Sequence, residues 1–526
     1  MLPAAALGLL LAVAFTASIG IRASRGAAIT GDEPFYLLTT QSLIDDGDLD
    51  LRQQYERRSY EAFFDHPDGL WRQSVVRADG VLLSPHNPGV SVLVIPGFAM
   101  AGLLGVQIEL LLLCAAAFAL AFVLAREVTG NARWSWWAAL GVGLCATPFV
   151  YATEVYPEGP AALALMGALV LLVTGPRRIE IGRSVAVMAL LSAIPWLGVK
   201  YLPLSVVVGA WLFLRAAPRA RVAVAGLAAT SAFAFIAWHL AVFDGLTPYG
   251  VNSVYAGGST AEIVADHVSI SDRFYRVWGI FVDQRFGIGR WAPLLLVAVP
   301  GCVLAWRRGG AARVVALLIA VQVGIATFVA ITMMGWWFPG RTMMTALPLF
   351  PVAIVEVVRR VGPLGRVGVA AAGAWSALST ALLALAGHRG EVVLAVDPFT
   401  MSAAPFRLAG ALFPDYRSWG SHTWTFTAAW LVAAALAVAW SVRLDPEVVR
   451  QVRTEGGDLP VDLERERAVR PALGDRQAGA RHQPALLEEP HHVELELEIL
   501  REPAQDRRGA GLDVAERDEG RDVDLV

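Results

Sequence analysis

The chain carries one apolar run after another, each of roughly the length needed to cross about 30 Å of hydrocarbon. The runs cover 2–21, 106–125, 134–152, 159–173, 184–199, 202–214, 222–243, 291–305, 314–331, 342–358, 367–386 and 423–441; the two that flank Lys200 are short. Only 17% of the residues are charged, against about 25% in soluble domains. Mean hydropathy is +0.53. The expectation is an all-α polytopic membrane protein with about 12 transmembrane helices. A cleaved signal peptide is the other reading of the first run, and the many runs that follow favour a retained span.

Orientation follows from the arginines. One set of connections is short and basic: Arg126 and Arg133; Arg177, Arg178 and Arg183; Arg215, Arg219 and Arg221; Arg307, Arg308 and Arg313; Arg359, Arg360 and Arg366. These should face the cytoplasm. The alternate connections, 22–105, 244–290 and 387–422, are long and mixed and should face outside. The apolar stretch 89–104 is punctuated by Pro96, Gly97 and Gly102. Counting it as a span would reverse every later loop, so it reads as an interfacial or re-entrant helix of the first outer loop. Residues 1–442 then form the membrane domain. Residues 443–526 lack Phe, Trp and Tyr and are dense in charge, which predicts a mostly disordered cytoplasmic tail. Cys114, Cys145 and Cys302 lie inside apolar runs, so the polar loops hold no disulfide framework.

Ionisable groups are costly in hydrocarbon and mark function where they occur. The middles of the runs are nearly free of them. Glu356 lies within reach of Arg360 four residues on and reads as a helix salt bridge. The remaining groups gather at the outer ends. "GDEPFYLLTTQSLIDDGDLDL" puts Asp32 and Glu33 just outside the first run, at the start of a helix of about 33–44. Asp32 can serve as N-cap with Pro34 in the first turn. The pair can also supply a general base at the lipid–water boundary, and the two roles are compatible. "SPHNPG" carries His86, and "YATEVYPEGP" carries Glu154 and Glu158. Lys200, the one lysine of the chain, sits at an outer turn, where a snorkelling anchor would suffice to explain it. "DQRFGIGRW" carries Arg285 and Arg290, and "GWWFPGR" carries Arg341 behind a Trp pair. Belt residues explain each singly. Several cations beside acids on one face fit a phosphate site with a base nearby. A divalent ion at Asp32, Glu33 and His86 stays open, because their spacing is not diagnostic.

Together these segments resemble the GT-C superfamily of membrane glycosyltransferases, in particular the branch of protein O-mannosyltransferases and the lipid A aminoarabinose transferase. The likeness covers roughly residues 1 to 442. It rests on the acidic motif after the first span, on "SPHNPG" with the interfacial helix behind it, and on "VYPE", "DQRFG" and "WWFPGR". The resemblance implies a polyprenyl-phosphate-sugar donor and transfer at the outer face of the cytoplasmic membrane, usually with inversion. It also implies that Asp32 or Glu33 takes the proton of the acceptor hydroxyl. The acceptor would be an extracytoplasmic glycan, lipid or protein; no nucleic-acid partner is expected. Lys200, Arg285 and Arg341 are candidates for holding the leaving phosphate. The rival classes are a transporter or lipid flippase, a lipid-linked oligosaccharide ligase or polymerase, and an inactive scaffold. Transporters tend to show internal repeats and midplane charge. The sequence has no visible repeat and little midplane charge.

Overall fold

The structure is a computed structural model, and it describes residues 2–252, 273–330, 333 and 337–443. The tail from 444 onward lies outside the described residues, as do 253–272 of the 244–290 loop. Among the described residues every regular element is helical, apart from one isolated parallel bridge between Ile179 and Ala216. In chain order the helices are α1 (Leu2–Phe15), α2 (Glu33–Asp45), α3 (Arg52–Glu56), α4 (Gly89–Leu93), α5 (Ile95–Thr129), α6 (Ala132–Gly143), α7 (Ala146–Tyr151), α8 (Glu158–Val173), α9 (Ile181–Leu197), α10 (Leu202–Arg215) and α11 (Pro218–Phe243). They continue with α12 (Arg276–Val282), α13 (Ile288–Trp291), α14 (Ala298–Arg308), α15 (Gly310–Gly324), α16 (Phe350–Val358), α17 (Pro363–His388), α18 (Ala404–Gly410) and α19 (Ser421–Arg443).

Five helical stretches are long and apolar enough to cross a membrane: Ile95–Thr129, Pro218–Phe243, Gly310–Val329, Pro363–His388 and Ser421–Arg443. Their surfaces agree with that. Of the 26 residues of α11 only Ala220, Val224, His239 and Phe243 are buried, so Val222, Phe233 and Leu240 stand exposed. Contiguous apolar surface of this extent is not left to water in a soluble monomer. Helix α5 forms the centre of the bundle and packs against α1, α6, α8 and α16.

The Arg-rich connections lie at one end of the helices. Arg215 donates to the carbonyls of Leu172 and Pro176, and Arg307 donates to those of Ser441 and Val442. Glu356 is fully buried and accepts from Arg308 at 2.8 Å and from Arg360, which adds a second cation to the helix pair read from the sequence. Helices α8, α10 and α16 run into this end. Their starts, at 158, 202 and 341–350, point to the other end, where the long loops gather.

The stretch 89–104 folds as α4 followed by the first turns of α5. The backbone breaks at Ala101 (φ −153°, ψ 29°) and Gly102 (φ 56°, ψ −138°). In a straight helix the 12 residues from Gly97 to Glu109 would span about 18 Å. Instead the Glu109 carboxylate accepts the Gly97 N–H at 2.9 Å. The chain therefore doubles back at 101–102, and the 95–100 segment lies against the start of the long helix. Two glycines make the approach possible: a Cβ on Gly105 would overlap the carbonyl oxygen of Gly97, and one on Gly97 would meet the Gly105 carbonyl oxygen at 2.7 Å. Gly105→Val should therefore open this hairpin. Overpacking of this kind costs about 1–3 kcal/mol, and more against backbone. The expected outcome is a lower thermal midpoint of the purified protein, while Gly226→Ala, in the interior of α11 where a Cβ meets open space, does not lower it.

Candidate functional site

The first long loop, the 152–158 turn, the Lys200 turn and the 338–341 turn meet at the end opposite the Arg-rich connections. Each is fastened by its own local chemistry. The 338–341 turn is held by α7: Thr147 donates its hydroxyl to the Pro339 carbonyl at 2.9 Å, and Tyr151 donates to the Phe338 carbonyl at 2.7 Å. Gly340 takes φ +86° there, and a Cβ would meet Ile288 at 2.6 Å and Thr147 at 2.9 Å, so only glycine fits before Arg341. Gly31 is the counterpart in the acidic motif. It takes φ +63°, and a Cβ would meet the Tyr156 hydroxyl at 2.7 Å.

Arg341 stands at the centre. Its Nη2 donates to Asp32 Oδ2 at 2.9 Å and its Nε to Glu158 Oε1 at 3.2 Å. The guanidinium lies 3.8 Å from the Tyr156 ring centroid and 4.7 Å from that of Trp337. Stacking of this kind fixes the plane of the fork and favours the cation. Glu158 is fully buried and its Oε1 also accepts from Lys200 Nζ at 3.1 Å and from the Tyr201 hydroxyl at 2.9 Å. It occupies the first turn of α8, where the helix dipole favours a negative charge. His86 donates from Nε2 to Gln73 Oε1 at 2.6 Å, and the same nitrogen lies 3.9 Å from Asp32 Oδ1. Its ring packs 5.0 Å from that of Tyr36. Five of the residues singled out in the sequence, Asp32, His86, Glu158, Lys200 and Arg341, thus form one cluster drawn from five separate segments.

The two acids of the opening motif have different surroundings. Glu33 is 1% exposed and its carboxylate is fully used by backbone: Oε1 accepts the Thr30 N–H at 3.0 Å and Oε2 the Val155 N–H at 2.9 Å. It stitches the motif to the 152–158 turn. Asp32 makes no side-chain capping bond to α2, which corrects the N-cap expectation; the carboxylate is drawn to Arg341 instead. With a fifth of its side chain exposed, Asp32 is the member of the pair open to the surface.

The rest of the sequence-derived set falls elsewhere or behind. Glu154 is buried beside Glu33, and neither of its oxygens has a hydrogen-bond partner among the described residues. Arg290 does not join the cluster. It donates to the Gln284 carbonyl at 2.8 Å and lies 3.8 Å from the Phe406 ring centroid, locking the 283–291 segment to α18. The "DQRFG" segment instead lends an aromatic: Phe286 lines a small apolar cavity together with Ile280, Met343 and Arg341. Arg285 contributes only its backbone N–H, to Asp283, in the contacts of that turn. Asp283 itself is spent on the backbone N–H groups of Arg285, Phe286 and Tyr416. Tyr36, Tyr156, Tyr201 and Gln73 are site residues that sequence reasoning passed over. Tyr36 and Tyr156 had a signal, lying inside "GDEPFY" and "VYPE". Among the described residues no group of three or more His, Cys, Asp and Glu is placed to hold a metal ion.

The electrostatics follow from burying four carboxyl groups against two fixed cations, Arg341 and Lys200. Asp32 is held below the usual carboxylate range: burial pushes it up, but the cations Arg341 and Lys200 outweigh that. Glu33, farther from the cations, is pushed up by burial to about 7 in spite of its two backbone donors. Glu154 is raised by burial and by Glu33. His86 is lowered by burial, so it stays neutral at pH 7. At neutral pH the site holds an ionised Asp32 and a neutral imidazole around a fixed guanidinium, backed by Glu33 and Glu154, whose proton affinities burial raises. In comparisons with known proteins, no family model matches the chain and no curated protein matches it.

A pH dependence of stability follows. A carboxyl raised on folding contributes most below its unfolded value of 4.5 and loses that contribution as pH rises through about 7. Glu33→Gln removes this titration while keeping one acceptor oxygen. The thermal midpoint of the wild type should fall between pH 5 and pH 8 (roughly the window of that titration) by more than that of Glu33→Gln. Equal slopes for the two proteins would mean that Glu33 does not titrate there. The lowered His86 works in the opposite direction in both proteins and cancels from the comparison.

Proposed function

We propose that the chain is an integral-membrane glycosyltransferase of the GT-C type, which moves a sugar from a polyprenyl-phosphate donor to an acceptor hydroxyl. The reading rests on one observation: Arg341 pairs with a part-exposed carboxylate, Asp32, and is joined through the buried Glu158 to a second cation, Lys200. Inverting transfer needs that pairing. The acceptor oxygen bonds to C1 of the sugar as the bond from C1 to the phosphate oxygen breaks. The electron pair leaves on the polyprenyl phosphate, whose charge Arg341 and Lys200 would stabilise. The acceptor proton passes to Asp32, which is available because it is ionised at neutral pH. His86, between Asp32 and Gln73, would orient the acceptor.

In this reading the shorter helices complete a set of twelve spans. The segments 2–18, 132–151, 158–173, 181–197, 202–215, 293–308 and 341–358 join the five long ones. The Arg-rich end is cytoplasmic and the site lies at the outer surface of the cytoplasmic membrane. Clustering of the ionisable groups at one end of the bundle favours an enzyme acting at a surface over a transporter or flippase, which would place them along a path. A lipid-linked oligosaccharide ligase or polymerase would use the same chemistry on a larger donor.

Asp32→Asn keeps the shape of the side chain and removes its basicity. Loss of a general base typically lowers the rate about 10²- to 10⁴-fold. Sugar transfer from a polyprenyl-phosphate sugar in membranes should fall by that much in Asp32→Asn, with the protein still inserted. Near-normal transfer would remove Asp32 from the chemistry.

A further inference from the structure

Arg341 is asked for twice. It is the cation that neutralises Asp32, and it is the cation best placed to hold a leaving phosphate. Two of its five N–H donors are engaged, Nη2 on Asp32 at 2.9 Å and Nε on Glu158 at 3.2 Å, with Tyr156 and Trp337 stacked against the guanidinium. The two ends of that bridge differ. Glu158 is fully buried, also bound by Lys200 and Tyr201, and fixed in the first turn of α8. Asp32 is part-exposed, and on the acidic motif no other donor is bonded to its carboxylate among the described residues; His86 stands off at 3.9 Å. An anion arriving from the exposed side therefore competes with Asp32 and leaves Glu158 in place.

We infer that Arg341 is a transferable clamp: it masks Asp32 in the empty site and passes to the donor phosphate when the lipid-linked sugar binds, so that donor binding itself frees the base. The inference rests on the glycosyltransferase reading. It implies an order, donor before acceptor, because an acceptor hydroxyl entering first meets a carboxylate held by a guanidinium.

The groups that face Asp32 set the effect of the exchange. Glu33 and Tyr36 come from α2, His86 from the 84–87 segment, Glu158 and Tyr156 from the 152–158 turn and α8, Lys200 from its turn, and Tyr249 from the 248–252 segment. Of these Lys200 is the one fixed cation left to Asp32 once Arg341 turns to the phosphate. A phosphate drawn close to Asp32 would add negative charge, so the exchange raises the basicity of Asp32 at the moment an acceptor can arrive.

The test is a double-mutant cycle on the affinity of the purified full chain for a detergent-soluble polyprenyl phosphate. Competition for one guanidinium predicts opposite signs. A charge-assisted hydrogen bond is a matter of about tenfold in affinity, so Asp32→Asn should bind about tenfold more tightly than wild type and Arg341→Gln about tenfold more weakly. The decisive arm is Asp32→Asn in the Arg341→Gln background, where there is no clamp to release and the gain should shrink to the smaller part that charge repulsion supplies. If Asp32→Asn tightens binding equally in both backgrounds, the effect is plain charge repulsion and the exchange is wrong. If Asp32→Asn binds no better than wild type while Arg341→Gln binds worse, Arg341 holds both groups at once, and the exchange again fails while the phosphate site stands. Failure of the wild type to bind polyprenyl phosphate at all overturns the glycosyltransferase reading itself. Should Arg341→Gln not accumulate, Arg341→Lys replaces it: the charge stays, the fork is lost, and the gain from Asp32→Asn should shrink in that background.

Discussion

The site depends on the guanidinium of Arg341, held between Asp32 and Glu158. Those carboxylates come from positions 309 and 183 residues away in the chain. Removing one partner of a buried pair of this kind typically costs about 3–5 kcal/mol, because the other is left charged and unpaired. The supporting structure can be understood from that requirement. Gly340 turns the backbone so that Arg341 points inward, and Thr147 and Tyr151 of α7 hold the turn by its carbonyls. Gly31 lets the acidic motif close on Tyr156, and Glu33 ties the motif to the Val155 backbone. Tyr156 then faces Arg341 from one side and Trp337 from another. Each is a local device, and each acts on the same side chain.

Burial divides the acids into working and structural groups. Four carboxyls and two fixed cations share one pocket, and low dielectric does not allow all four to ionise. The charge concentrates where the cations are, on Asp32 and Glu158. Glu33 and Glu154, a layer behind, are raised by burial. This separates the two adjacent acids of "GDEPF" into a part-exposed group paired with Arg341 and a buried group that binds backbone, although in the sequence they look interchangeable.

Much of the site was legible because the surrounding chain is so apolar. Where ionisable side chains are rare, each one outside a helix middle carries information, and Asp32, His86, Glu158, Lys200 and Arg341 were picked out for that reason. The helical character was legible from run length, and the interruption of 89–104 from Pro96, Gly97 and Gly102; the hairpin at 101–102 was not. The tyrosines were not, since a Tyr near a membrane surface is ordinary. Arg290 misled for the complementary reason. Rarity says that a cation has a partner, and its partners proved to be carbonyls and the Phe406 ring. The cap expected of Asp32 failed because an ion pair with Arg341 outcompetes a bond to the first turn of α2, and that pairing bridges 309 residues of sequence.

The most direct measurement is a structure of the full chain with a polyprenyl phosphate bound. The account predicts the phosphate within hydrogen-bonding distance of Arg341 and Lys200, with the bond from Arg341 to Asp32 opened and that to Glu158 kept. A phosphate seated away from Arg341, with the guanidinium still on Asp32, would contradict it.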